Sequence, residues 1–530
     1  MSEGRTRPKT IILTSILAIV LVAGAWMFQR GTVSTRVNGT RLFAQVSAAV
    51  RDDYVDTVAD ARVYKMALDG MLSELNDPYD AYLTPERANS LTERTSGSYA
   101  GIGLQVDVRD GALVVVSPVP GGPGERAGIL TGDRIAQIDG KTVSGWTAEE
   151  VQKLLRGAPG SSVKVSIQHP GSATPVTLTL TRAAIHHSAV KRAALLPGNV
   201  GYVALSVFSD STARELKKTV DSLVHVGAKS LVLDLRSNPG GLLDQGVAVA
   251  DLFLNRGERV ASTAGRDSID NVVFTDSAAQ AWPALTVAIL VDNKSASASE
   301  VVAGALQDHD RAVVLGMTTY GKGSVQRVFP VPAGGAVRLT TARWRTPLGR
   351  YIAEPPPSEG SNVPDSEPPR PKFRTDAGRT VLGGGGITPD VAIGDTTASA
   401  ENLALMRAIG MDVSRFHDAL TSYALELKAK GSIKSPDFAV TSAMLNDIYV
   451  RMQKRGVDIP RSTYDAAAPL VSRLFSYEVA RYVFGTDAEF KRKSADDKVL
   501  IAAEQLLSGS RSQADALRRA EEMQRARKIE

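Results

Sequence analysis

The 530-residue chain is 43% apolar and 22% charged, a normal globular balance in a length sufficient for several cored domains. Its net charge of +5 is small for this length, and no long basic run or aromatic-interleaved patch occurs, which argues against a nucleic-acid partner. The absence of cysteine excludes disulfides, thiolate metal sites and a cysteine nucleophile, and the six histidines (169, 186, 187, 225, 309 and 417) lack metal-ligand spacing, so a metal enzyme is not expected.

At the N-terminus, Arg5, Arg7 and Lys9 precede the uncharged apolar stretch Ile11 to Phe28. At about 1.5 Å per residue a helix of that length reaches roughly 27 Å, just enough to cross a hydrocarbon core. The basic flank favours an N-in orientation with the rest of the chain outside the cytoplasm. Residues 1–30 are therefore read as a membrane anchor, the alternative being a signal peptide cleaved at Ala23-Gly24-Ala25 and a secreted protein.

Residues 31–96 show helical apolar spacing, broken by the turn-rich NDPYDAYLTPE at 76–86. From 97 to 185 the texture changes to short β runs separated by Gly/Pro turns, with one helix predicted at GWTAEEVQKLLRG behind a Thr147/Glu150 capping box. From 186 to 395, and most clearly over 199–328, apolar strands alternate with amphipathic helices, which predicts a largely parallel sheet buried on both faces. Residues 353–380 form a Pro-rich polar insertion in this region, and 396–530 is a helical C-terminal region.

Functional residues of such sheets lie beyond the carboxyl ends of strands, where NPGG (238–241) and NKSASASE (293–300) fall. Ser297 to Glu300 is S-x-x-E, which by itself is only a capping box. A serine nucleophile needs a base, yet no histidine is suitably placed and the GxSxG elbow is absent. Lys322, between two glycines in TTYGKGSVQ, is the other option, provided that burial keeps its amine neutral. Backbone N–H groups of NPGG and of Ala298, at a helix N-terminus, are suited to hold an oxyanion.

Taken in order, LVLDLRSNPGG, NKSASASEVVAGAL, TTYGKGSVQ, LTTARWRTPLGR and GGGGITPDV resemble the C-terminal processing peptidases, or tail-specific proteases, over about residues 43–391. The resemblance implies a multidomain α/β fold: a crotonase/ClpP-like β/α protease core carrying an inserted β-rich PDZ domain. It implies Ser297 as nucleophile, Lys322 as general base, Gln326 as orienting partner, and an oxyanion hole from Gly240 or Gly241, with Gly241 preferred, together with Ala298. Ser295 and Ser299 become structural. In the module at 97–185, YAGIGL (Tyr99, Ala100, Gly101, Ile102, Gly103 and Leu104) corresponds to the family's loop for a peptide's terminal carboxylate. The implied activity is serine endopeptidase cleavage of unfolded or flexible C-terminal tails docked on the PDZ domain, and the resemblance implies that it requires no metal or other cofactor. The competing reading is a catalytically silent or adaptor-gated PDZ scaffold, and an adaptor or a second copy stays open as a further partner.

Overall fold

The computed structural model describes residues 38–109, 111–170, 172, 174–332, 334–353, 370–394 and 399–527. The apolar stretch Ile11 to Phe28 lies outside them, as do residues 354–369 of the Pro-rich insertion. Among the described residues no helix is long and apolar enough to cross a membrane. The chain divides into two compact units, one of residues up to 88 plus 326–340, the other of 89–325 and 341 onward.

The larger unit is built on a six-stranded sheet in the order Val190–Leu196, Val200–Leu205, Ser230–Asp234, Thr286–Val291, Val313–Gly316, Val391–Ala392. The first pairing is antiparallel and the other four are parallel. Because successive side chains alternate across a strand, each strand serves two cores. Val203, Leu231, Leu233, Val287 and Ile289 face the helices Thr212–His225, Leu243–Asp251 and Ala298–Asp308. Tyr202, Val232, Ala288 and Leu290 face Leu500, Leu506 and Leu517 on the helices Lys498–Ser508 and Gln513–Arg527. The C-terminal helices thus supply the second cover that a parallel sheet requires.

The helices from Ala400–Ile409 to Ala468–Val479 enclose a separate core around Phe416, Leu420, Ile448, Met452 and Phe475. Val114 of the β-rich module joins that core. Nearby, Lys428 Nζ donates to the Thr131 carbonyl (2.9 Å) and Arg109 pairs with Asp418 (3.7 Å). The module itself orders its strands Leu104–Arg109, Ala112–Pro118, Arg134–Ile138, Ser162–Gln168, Val176–Thr181 around Ile102, Val115, Ile138, Val151 and Val165. Its helix Ala148–Leu155 starts at the predicted capping box, with Thr147 N–H on Glu150 Oε2 (2.8 Å) and Glu150 N–H on Thr147 Oγ1 (3.3 Å).

In the smaller unit, helices 38–52 and Asp60–Ser73 precede a strand, Ala81–Leu83, that sequence reading passed over as part of a turn. Three residues are too few to show a period, and the strand exists because Ala336–Arg338 pairs with it antiparallel. Asp80 Oδ1 accepts the Thr340 N–H (2.7 Å) and Arg338 Nε donates to the Tyr79 carbonyl (2.7 Å), which accounts for NDPYDAYLTPE.

If the helix Lys498–Ser508 is structurally part of the sheet's core, Leu506→Ala, at a side chain only 2% exposed, lowers stability by about 2–5 kcal/mol. Leu403→Ala, at a side chain 42% exposed, costs less than about 1 kcal/mol. Denaturant unfolding followed by circular dichroism separates the two.

Candidate active site

Three parallel strands end side by side, so the loops that leave them meet: 235–241 after Ser230–Asp234, 292–297 after Thr286–Val291, and 317–323 after Val313–Gly316. Ser297 heads the helix Ala298–Asp308. Its φ of +56° and ψ of −116° lie far from the extended conformation of an ordinary N-cap serine, although it shares a capping box with Glu300. A β-carbon held at positive φ is strained and persists only where its surroundings enforce it. Here Glu300 enforces it, accepting the Ser297 N–H at Oε2 (2.7 Å).

The same carboxylate reaches the lysine loop. Glu300 Oε2 also accepts the Lys322 N–H (2.9 Å), while Oε1 accepts the Gly321 N–H and the Thr319 hydroxyl (2.6 Å each). The backbone nitrogens of Ser297 and Lys322 therefore share one acceptor atom. Glu300 is fully buried; burial pushes its carboxyl above the ordinary range and these four donors oppose that shift. The lysine loop is also held from its other side, where Trp344 Nε1 donates to the Lys322 carbonyl (2.9 Å). Both Ser297 and the Lys322 side chain's residue are half-buried.

The NPGG loop closes on the serine from the neighbouring strand. Ser299 Oγ (2.9 Å) and Ala296 N–H (3.1 Å) both donate to the Asn238 carbonyl, and Ser295 Oγ donates to the Leu235 carbonyl (2.8 Å). Ser295 and Ser299 thus tie the two loops together. The Asn238 side chain is fully buried; its Nδ2 donates to the Leu205 carbonyl (3.0 Å) and its Oδ1 accepts the Gly240 N–H (2.9 Å). Gly240, at φ +88°, passes so close that a β-carbon there would lie 2.6 Å from the Ala296 carbonyl and 2.8 Å from both Ala298 N and Ser297 Cβ. Gly241 follows at φ +154°, bridged to Phe208. Ala298 is the first residue of its helix, where backbone N–H groups have no intrahelical partner.

Glu300 and Asn238 are the two residues whose importance sequence reading missed. Each had a signal: Glu300 as the fourth residue of S-x-x-E, Asn238 as the first of NPGG. Gln326 lies in the smaller unit, where its Nε2 donates to Thr340 Oγ1 (3.1 Å). His309 caps the end of the Ala298–Asp308 helix, bonded to Asp376 (2.7 Å) and the Arg259 carbonyl (2.8 Å). Among the described residues there is no group of three or more His, Asp or Glu able to hold a metal ion.

In the β-rich module, Tyr99, Ala100 and Gly101 belong to the strand Ser98–Gly101, paired antiparallel with Ala183–His186. Ile102 and Gly103 leave that ladder, and their carbonyls accept the N–H groups of Gly124 and Val119 (2.8 Å each). Those bonds fix the loop without using its own N–H groups. Leu104 then opens the edge strand Leu104–Arg109, a position from which a peptide can be added to a sheet.

The profile of peptidase family S41 matches residues 199–357, and that of a PDZ domain matches residues 114–169. A carboxy-terminal-processing protease of Bartonella bacilliformis is 39% identical over 314 residues, 58% of this chain and 71% of that protein. The carboxy-terminal processing protease CtpA of Bacillus subtilis is 33% identical over 346 residues, 65% of this chain and 73% of that protein. A solved photosystem II D1 C-terminal processing protease is 31% identical, with a TM-score of 0.34, covering 71% of this chain and 93% of that one.

Because Glu300 holds both loops, Glu300→Gln turns two of four donors toward an amide NH₂ in a buried site. It lowers stability by about 2–4 kcal/mol, read from the denaturation midpoint, whereas Glu149→Gln on the exposed start of the Ala148–Leu155 helix leaves that midpoint within about 0.5 kcal/mol.

Proposed function

This chain belongs to peptidase family S41, as a carboxy-terminal processing serine protease with a PDZ domain, and from that premise we propose that Ser297 is its nucleophile and Lys322 its general base. The observation that carries the assignment is the Glu300 carboxylate, which binds the backbone N–H groups of both residues at one oxygen. A buried acceptor shared in this way sets the serine and the lysine loops at a fixed separation before substrate arrives, the preorganisation that catalysis rewards.

In the proposed reaction the neutral Lys322 amine takes the Ser297 hydroxyl proton as Oγ attacks the peptide carbonyl. The developing oxyanion is held by the N–H groups of Ala298 and Gly241; we choose Gly241 because the Gly240 N–H is taken by Asn238. The protonated lysine then gives its proton to the leaving amine, and the acyl bond to Ser297 forms as the peptide bond breaks. Water, deprotonated by the lysine, attacks the ester; as the bond from the acyl carbon to Ser297 Oγ breaks, the lysine returns that proton to Oγ, which releases the acid and restores both the serine hydroxyl and the neutral amine. Gln326 is proposed as the residue that orients the lysine, on the family's pattern.

A PDZ domain binds peptide C-termini. We propose that the Ile102–Leu104 loop receives the terminal carboxylate of the substrate and that the peptide runs along Leu104–Arg109 as an added strand, which delivers an upstream segment to Ser297. The position of that strand at the edge of its sheet supports this reading, as do the carbonyl bonds of Ile102 and Gly103 that fix the loop. The basic flank and apolar run of residues 5–28 support an N-terminal anchor with the catalytic part outside the cytoplasm. A crotonase/ClpP-like fold of the core is likewise proposed, supported by its parallel sheet and covering helices.

The test uses the chain from residue 32 with an unfolded protein of apolar C-terminus. Wild type degrades it, Ser297→Ala and Lys322→Ala each lose at least about 10³-fold in kcat, and amidation of the substrate's C-terminus slows wild type several-fold. Continued cleavage by Ser297→Ala removes the assignment; an unchanged rate on amidated substrate removes the carboxylate-reading role of the PDZ loop.

A further inference from the structure

Arg236 leads directly into the NPGG loop, and its side chain is held between two carboxylates. Nε and Nη2 bond to Asp234 at 3.0 and 2.6 Å, and Asp234 also accepts the Tyr202 hydroxyl (2.8 Å). On the opposite side Nη1 and Nη2 bond to Asp497 at 3.0 and 2.7 Å. Asp497 is the N-cap of the helix Lys498–Ser508, where its Oδ1 also accepts the N–H groups of Val499 (3.1 Å) and Leu500 (3.0 Å). A carboxylate at a helix N-terminus is stabilised there by the helix dipole, and a bidentate guanidinium bond adds direction to the charge. This helix lies beyond the segment matched by the family profile.

From Arg236 the chain passes through Ser237, strained at φ +57° and held by Asp292 Oδ1 on its N–H (2.9 Å), to Asn238, which fixes the Gly240 N–H. The strain at Ser237 has to be over-determined by its neighbours, and Arg236 is the neighbour on its N-terminal side. The Arg236–Asp497 pair also lines a cavity of about 400 Å³ shared with Asp292, Lys294 and Lys498. Its loss is therefore filled by water without opening a void in an apolar core.

Resting on the dyad reading above, we propose that Asp497 is a positioning residue for catalysis: the N-cap carboxylate of a C-terminal helix fixes Arg236, and through it the backbone that presents the Gly241 N–H to the oxyanion. The C-terminal helices then belong to the catalytic apparatus as well as to the core. Displacement of this loop by a fraction of an ångström weakens the transition state and leaves ground-state peptide binding alone, so kcat falls while KM holds.

The experiment compares Asp497→Asn, Asp497→Glu and Asp487→Ala in a steady-state peptide assay, with Ser297→Ala and Lys322→Ala alongside. Asparagine caps a helix as well as aspartate does, so Asp497→Asn keeps the cap and removes the charge. Asp487 bonds to Arg192 (2.6 Å) and ties the same C-terminal segment to the sheet without touching the NPGG loop. The expected result is a kcat about 10- to 100-fold lower in Asp497→Asn with KM within twofold, partial recovery in Asp497→Glu, and near wild-type kcat in Asp487→Ala. Unchanged kcat in Asp497→Asn, or an equal loss in Asp487→Ala, overturns the proposal. Activity retained by Ser297→Ala or Lys322→Ala instead overturns the dyad reading, whatever Asp497 does.

Discussion

Glu300 is a carboxylate with no access to solvent, and it is tolerable there only because four donors converge on its two oxygens. Those donors come from its own helix N-terminus and from residues 319–322, nineteen or more positions away in sequence. An unpaired buried charge costs several kcal/mol, so each loop is obliged to come to the carboxylate. What results is a serine forced to positive φ and a lysine whose backbone is fixed beside it. The NPGG loop is then fitted against the serine loop by Asn238, Ser295 and Ser299, leaving room for a glycine at 240 and nothing larger.

Around this point the architecture divides its labour. The parallel sheet brings three strand ends together, and its two covers come from distant parts of the chain: the helices between strands on one face, the last two helices on the other. The PDZ module enters and leaves through the ladder Ser98–Gly101 with Ala183–His186, and it shares Val114 with the C-terminal helical core. Substrate recognition and chemistry therefore sit on separate folds, while the C-terminal region touches both.

Much of this was legible in the sequence. The β/α alternation announced the parallel sheet because strands buried on both faces are apolar throughout, and the Thr147/Glu150 capping box located its helix to the residue. The roles proposed for Ser297, Lys322 and NPGG came from the resemblance of the ordered motifs to the C-terminal processing peptidases; the residues taken singly suggested a cap, an exposed lysine and a common turn. What sequence could not supply is tertiary. Glu300 is half of a capping box, as S-x-x-E announced, but its bonds to Thr319, Gly321 and Lys322 are tertiary and leave no mark in that pattern. Ala81–Leu83 is too short to show a period and exists through its partner Ala336–Arg338. Asp497 is one carboxylate among many until the fold places it on Arg236.

The most direct test of the account labels the protein with a fluorophosphonate, which reacts only with an activated serine, and maps the adduct by peptide mass spectrometry. The account predicts a single adduct on Ser297, formed rapidly in wild type and lost in Lys322→Ala. An adduct on another serine, or labelling of Ser297 at an unchanged rate without Lys322, would contradict it.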